Sequence, residues 1–423
     1  MSARASVWVS LLLLAAPCFA QDAVDGALMN AILQIPAIDN HMHADPVDAA
    51  RPTRWKTDNP LGTSRYPDVA PLARDHIDWQ LAWEGLYGLR VPDLSLRQLQ
   101  DVLERKKKAM AFFGDGWPEA VLKQSRVDVA LVNTVRPGTG LDGPRFRWVP
   151  YADPLLRPFS GDESRMLYTG GDTSVKALLG ELGLKKPPPT LARYREQVIA
   201  PTLARWKSQR GVAVKFLSAY ARPIDFDPVD EKRAAKLYAA RKDSKLLEDY
   251  LFNEIAAAAG RAGLVVHVHT GNGDGPYFNN GRANPGLLEN TINSKPLRQT
   301  KFVLLHGGWP DYRLAQAMTD KPNTYVDFSA QTFYLDSHHL SDVLRSWLSW
   351  HPEKVLFGSD AYSDVDSPLV DWEEKEWACT YRARWALGLA LTAMVNNREI
   401  SRDRALELAR MVLHDNAASL YGL

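Results

Sequence analysis

Cysteine, net charge and long apolar runs are all scarce in this 423-residue chain. Its two cysteines are Cys18 and Cys379. Cys18 sits in a leader expected to be removed, so no intrachain disulfide can form in the product. The 51 Lys and Arg nearly cancel the 50 Asp and Glu, which removes the electrostatic case for nucleic acid or an anionic membrane as partner. The tract Arg105-Lys106-Lys107-Lys108 reads as a solvated helix face. Only residues 7–16 form an almost unbroken apolar run, too short for a stable membrane span. With Arg4 before it and Cys18-Phe19-Ala20 after it, the pattern is that of a signal peptide over residues 1–20, cut after Ala20. The product is then expected in the periplasm or outside the cell, with no stable membrane insertion. Pro17 occupies the place where a lipoprotein signal carries a small residue, which disfavours acylation of Cys18. No glycine-rich turn follows the first strand, so a dinucleotide fold is not supported.

Residues 21–423 suit a single α/β barrel with long loops. Eight short Val/Leu/Ile/Phe-rich runs read as strands buried on both faces: 37–41, 127–133, 147–152, 212–217, 264–269, 302–306, 324–328 and 355–359. Helical patterns at 96–112, 191–209, 231–262, 312–318 and 340–350 separate several of them, and another at 402–412 precedes the C-terminus. Strand alternating with helix predicts a (β/α)8 TIM barrel. Two connections, about 44–126 and 153–191, exceed what a barrel needs. Both leave from C-terminal strand ends, so they are expected to form a cap that shapes the site. The first carries Trp55, Trp79, Trp83 and Trp117, part of a load of 13 Trp and 15 Tyr that suits a ring-bearing ligand or ordinary packing equally well.

Four strings lie at the ends of such runs: Asp39-Asn40-His41-Met42-His43, Val266-His267-Val268-His269-Thr270-Gly271, Leu305-His306-Gly307-Gly308 and Gly358-Ser359-Asp360-Ala361. Neutral imidazoles and a carboxylate converging at strand ends bind a divalent ion, which can activate water. His41 and His43 are two apart, so both are expected to leave one face toward the barrel interior. Asp39 is expected one pleat deeper on that face, orienting an imidazole by accepting a hydrogen bond from its second N–H. On strand five, His269 is the ligand candidate and the deeper His267 a supporting or packing residue. Gly307-Gly308 would give a substrate room to approach the backbone. Asp360 could touch the metal and take a proton from water. Lys215 stands within an apolar strand, where an unpaired ammonium is costly. Tyr220 and Arg222 could meet an anionic substrate group, although surface salt-bridging suits Arg222 as well. Asn272 in the glycine-rich loop and Trp309 after the glycine pair are further substrate-contact candidates, and Asp327 is a candidate support.

In order and spacing, these strings resemble the amidohydrolase superfamily, in particular its amidohydrolase-2 type and the hydrolase-like half of FluG-type proteins. The resemblance runs from Ile38 to the closing Asn416-Ala417-Ala418-Ser419-Leu420-Tyr421-Gly422-Leu423. It implies a (β/α)8 barrel with metal ligands at His41, His43, His269 and Asp360, and His306 as a ligand or a substrate-polarising group. Binuclear members carboxylate a strand-four lysine with CO2, and that carbamate bridges two ions. Lys215 lies in the corresponding strand; the alternatives are a plain lysine gripping a substrate carboxylate, or one paired with Asp39 or Asp327. The expected activity is hydrolysis of an amide or ester-like carbonyl in a small molecule, with zinc favoured over Mn or Fe and a homo-oligomer admissible. Zinc-dependent decarboxylation of an aromatic or unsaturated acid, and a periplasmic binding protein with an inactive site, stay open.

Overall fold

The computed structural model describes residues 24–46, 48, 50–62, 72–135, 137, 138, 140, 141, 143–160, 174–364 and 366–423. The expected signal peptide lies outside the described residues. Eight parallel strands run β1 (Ala37–Met42), β2 (Val127–Thr134), β3 (Phe146–Pro150), β4 (Ala213–Phe216), β5 (Val265–His269), β6 (Phe302–Leu305), β7 (Thr324–Asp327) and β8 (Val355–Leu356). They form ladders β1-β2-β3 and β4-β5-β6-β7-β8. Both seams are closed by backbone bonds. Val212 N–H donates to Trp148 O at 3.0 Å and Ala152 N–H to Lys215 O at 2.8 Å. On the other side, Asn40 N–H donates to Phe357 O at 2.9 Å and Asp360 N–H to His41 O at 2.7 Å. The chain is therefore a (β/α)8 barrel, as its strand pattern predicts. Among the described residues, no helix is long and apolar enough to cross a membrane.

Strand alternation divides the apolar residues into two layers. Val214, Phe216, Val266, Val268, Phe302 and Leu304 pack outward against the helices. Ile38, Leu131, Val149, Ala213, Val265, Val303, Leu305 and Leu356 fill the barrel, and Ala417 and Leu420 of the last helix join them. That helix, Asn416–Tyr421, plugs the N-terminal end of the barrel. Burying Leu420 there contributes roughly 1.5–3 kcal/mol.

β1 departs from simple alternation. Asp39 pairs with Ala130 and Met42 with Val132, so β1 spends one more residue than β2 over the same span. This bulge turns the intervening side chains. Asn40 and His41 both reach interior partners, Asp327 and Asn133. Asp39 faces the other way, accepting from Ser359 N–H at 3.0 Å and Ser359 Oγ–H at 2.5 Å. It also accepts the His41 backbone N–H at 2.9 Å. The expectation that Asp39 orients an imidazole from inside the barrel is thus corrected: it ties β1 to the end of β8.

The first long connection folds into helices Ile77–Tyr87, Leu96–Phe113 and Trp117–Gln124. Its four tryptophans, Trp55, Trp79, Trp83 and Trp117, are buried core residues. The connection is anchored on helix Trp372–Asn396, which a capping box at Asp371 and Glu374 opens. Arg51 pairs there with Asp371 and Glu373. Lys106 Nζ–H donates to Glu374 Oε1 at 2.9 Å, Glu373 Oε2 at 3.2 Å and Pro368 O at 2.8 Å. Trp117 Nε1–H donates to Glu373 Oε1 at 3.1 Å, and Tyr87 donates to Glu374. Lys106, read from its basic tract as solvated, is fully buried at the centre of this pairing. The helical pattern at 231–262 divides into Glu231–Ala239 and Lys245–Arg261, the second capped by Ser244.

Candidate metal centre

His41 and His43 bring both Nε2 atoms onto one oxygen, Asp360 Oδ1, at 3.1 and 3.2 Å. Neighbouring strands hold their other nitrogens. The Asn133 amide lies 2.5 Å from His41 Nδ1, and the Tyr151 hydroxyl 3.1 Å from His43 Nδ1. His306 follows β6 directly, and its Nε2 lies 3.0 Å from His269 Nδ1. His306, His41 and Asp360 each offer a ligand atom, and these atoms lie within 4.8 Å of one another. Lys215 Nζ lies 3.5 Å from His41 Nε2. The strand ends therefore bring together all six predicted ligand candidates: His41, His43, Lys215, His269, His306 and Asp360.

Left-handed backbone concentrates here. His306 has φ +62°, Asp360 φ +59° and Ala330 φ +58°. Such conformations cost a non-glycine residue on the order of 1–2 kcal/mol each. Local bonds offset that cost: His306 N–H donates to Asp327 Oδ1 at 2.8 Å, and Asp360 N–H to His41 O at 2.7 Å. Gly307 and Gly308 also have positive φ, and an added Cβ would meet Trp347 at 2.2 Å and Pro285 at 2.7 Å respectively. Packing therefore requires both glycines, whatever room they also leave for a substrate.

Electrostatics favour a cation. Burial, reinforced by the nearby Lys215 charge, drives His41 well below its ordinary value. Burial does the same to His269, and brings His306 to about 4. All three are neutral near pH 7, as ligands must be. Burial pushes the Asp360 carboxyl up, but the His41 and His306 rings and hydrogen bonds from His41 and His43 hold it well below the usual range. Lys215 is brought down to about 8 by burial, against the pull of Asp360, Asp327 and Asp153. His269 Nε2 is buried with no hydrogen-bond partner. An orphaned imidazole nitrogen among deprotonated donors fits a divalent ion.

The proton on His306 can be placed from its partners. Ser329 Oγ–H donates to Asp327 Oδ1 at 2.6 Å, so its oxygen accepts from His306 Nδ1–H at 2.9 Å. That assignment leaves a lone pair on Nε2, facing the cluster.

The remaining candidates divide. Tyr220 lies beside His269, with ring centroids 4.9 Å apart, and its hydroxyl accepts the Asp274 N–H at 3.1 Å. Asn272 N–H donates to Trp309 O at 2.6 Å, and the Trp309 ring stacks on Tyr312. These three occupy loops at the mouth. Arg222 does not turn to the cluster. It pairs with Asp249 and, at 3.1 Å, with Glu248, so its predicted substrate contact is replaced by a structural ion pair. His267 lies deeper, with Nε2 2.7 Å from the Tyr421 hydroxyl, and Asp327 accepts from Asn40 Nδ2–H at 2.7 Å. Sequence reasoning missed Asn40, Asn133, Tyr151, Ser329 and Tyr421. Asn133 and Tyr151 carried a usable signal, being polar residues at the C-terminal ends of apolar strands.

The family model described as Amidohydrolase matches residues 187–423. That span covers β4 to β8 and the C-terminal plug, but not the histidine pair of β1. No curated protein matches the chain. Among solved structures, a protein described as a metal-dependent hydrolase from Lactobacillus casei is 18% identical with TM-score 0.62, over 93% of this chain and 97% of its own. Uronate isomerase from Thermotoga maritima is 16% identical with TM-score 0.61, over 93% and 96%. Glucuronate isomerase from Caulobacter crescentus is 13% identical with TM-score 0.66, over 94% and 93%. At these identities the likeness is one of fold.

Proposed function

The chain belongs to the amidohydrolase family, and from that premise we propose that it is a metal-dependent hydrolase cleaving an amide or ester-like bond in a small molecule. The observation that carries this is the convergence of His41 and His43 on one oxygen of Asp360, beside the orphaned His269 Nε2. His41, His43, His269 and His306 would hold a divalent ion, with zinc the choice best suited to imidazole ligands. Such an ion supplies Lewis acidity, polarising an acyl oxygen and lowering the pKa of water from about 15.7 to about 7. Asp360 accepts the proton of the attacking water and returns it to the leaving nitrogen or oxygen. His306, with its proton turned to Ser329, serves as a ligand and not as a donor to the substrate. Tyr220, Asn272 and Trp309 bound the substrate at the mouth. The first twenty residues direct export and are removed.

Lys215, neutral in part near pH 8, is suited to carboxylation and would bridge a second ion. Metal content per chain tests the reading, measured with bicarbonate present on wild type and Lys215→Ala. Two ions falling to one supports the bridged pair, and one ion in both assigns Lys215 to the substrate. No bound ion in wild type overturns the proposal. So does metal-dependent interconversion of uronates without hydrolysis, the activity named for two structures of this fold.

A further inference from the structure

The C-terminal plug reaches the metal cluster through a continuous chain of hydrogen bonds. His267 is neutral, since burial and the Lys215 charge keep its pKa well below the usual value. Its Nε2 lies 2.7 Å from the Tyr421 oxygen, whose proton goes to Asn40 Oδ1. Asn40 Nδ2–H donates to Asp327 Oδ2 at 2.7 Å. Asp327 Oδ1 accepts the backbone N–H of His306 at 2.8 Å and the Ser329 hydroxyl at 2.6 Å. Ser329 Oγ then accepts from His306 Nδ1 at 2.9 Å. Each member is buried except Tyr421, whose hydroxyl end is enclosed by its two partners.

We propose that Tyr421 is a positioning residue for the metal centre, acting through Asn40 and Asp327 on the orientation and proton placement of His306. The direction of every bond supports this. Because Tyr421 donates to the Asn40 carbonyl oxygen, the Asn40 amide must present its NH2 to Asp327. Asp327 is then held with Oδ1 free to take three further donors: the backbone N–H of His306, a residue at φ +62°, and the backbone N–H and hydroxyl of Ser329. The same carboxylate oxygen draws the Ser329 proton, which leaves Ser329 able only to accept from His306. Without the hydroxyl, the Asn40 amide can rotate, and Asp327 loses the donor that fixes its plane. The β1 bulge is what makes the link possible, since it turns Asn40 into the barrel beside His41.

The inference rests on the metal-centre reading above, so its test reads binding and not turnover. Metal-stripped wild type, Tyr421→Phe and Leu420→Ala are titrated with Co2+, following the visible absorption of the bound ion, and each stripped protein is melted. Leu420 packs in the same plug but makes no bond in the chain. Tyr421→Phe is expected to bind Co2+ about 10–100-fold more weakly, with an altered visible band. Leu420→Ala is expected to lower Tm while keeping wild-type affinity and band. Wild-type affinity and spectrum in Tyr421→Phe overturn the proposal, as does an equal loss in both variants or a Tyr421→Phe protein that does not fold. If wild type itself binds no Co2+, the metal reading fails and this one with it.

Discussion

Two buried clusters of ionisable groups lie at the same end of this barrel, and they are built in opposite ways. The anchor joining the first long connection to helix Trp372–Asn396 sets two cations, Arg51 and Lys106, against Asp371, Glu373 and Glu374. Its charges are paired, and Tyr87 and Trp117 satisfy leftover oxygens. The cluster at the strand ends has four imidazoles, one carboxylate and one lysine. It keeps an orphaned His269 Nε2 and places His306 and Asp360 in left-handed backbone. His43 and Asp360 are partly exposed and the rest of both clusters is buried, so burial alone does not distinguish a site from a scaffold. Unspent donor capacity and stored strain do.

That contrast can be broken where it is steepest. Asp360→Asn is expected to lower turnover about 10²–10⁴-fold while leaving the melting temperature of the metal-free protein nearly unchanged. Steady-state kinetics together with calorimetry check it, and a collapse of stability would erase the distinction. Arg51→Met should do the reverse. It leaves three carboxylates against one lysine, at a cost of about 3–5 kcal/mol in denaturant unfolding, with metal content unchanged.

A smaller effect sharpens the comparison through pH. Burial raises the Glu373 carboxyl, but Arg51 and Lys106 overcome this and bring it to about 2 from 4.5. Its folded pKa is depressed, so its contribution is complete above pH 4.5 and is lost as pH falls toward about 2. Glu374 is shifted up, chiefly by burial, and works in the opposite sense, gaining stability as it protonates. Within the anchor, the acid loss therefore tracks Glu373. Unfolding free energies of wild type and Glu373→Gln should converge as pH falls from 4.5 toward 2, and a constant gap would count against the pairing.

The barrel was legible because each strand is a compact apolar run with a turn behind it. All eight predicted strands fall within two or three residues of those observed, the largest difference being β8, which ends at Leu356 and not at residue 359. Past that point, the chain still follows β1 through single backbone bonds. Helix Trp372–Asn396 gave no such signal. It is buried on most of its faces, so it lacks an amphipathic stripe, and its Glu373-Glu374-Lys375-Glu376 tract looks solvated until its partners are known. Lys106 misled for the same reason.

The sequence by itself determined the candidate ligands, since metal chemistry restricts the residue types and strand ends restrict their places. Direction and partnership were decided only by tertiary structure. One extra residue in β1 sent Asp39 outward and Asn40 inward, and no composition or period encodes a bulge set by pairing with β2. Arg222 found three neighbouring carboxylates within helix and loop, and so was lost to the substrate. Tyr421 met Asn40 across nearly the whole length of the chain. Such contacts follow from where a closed barrel puts its two ends, which is a property of the fold and not of any local stretch.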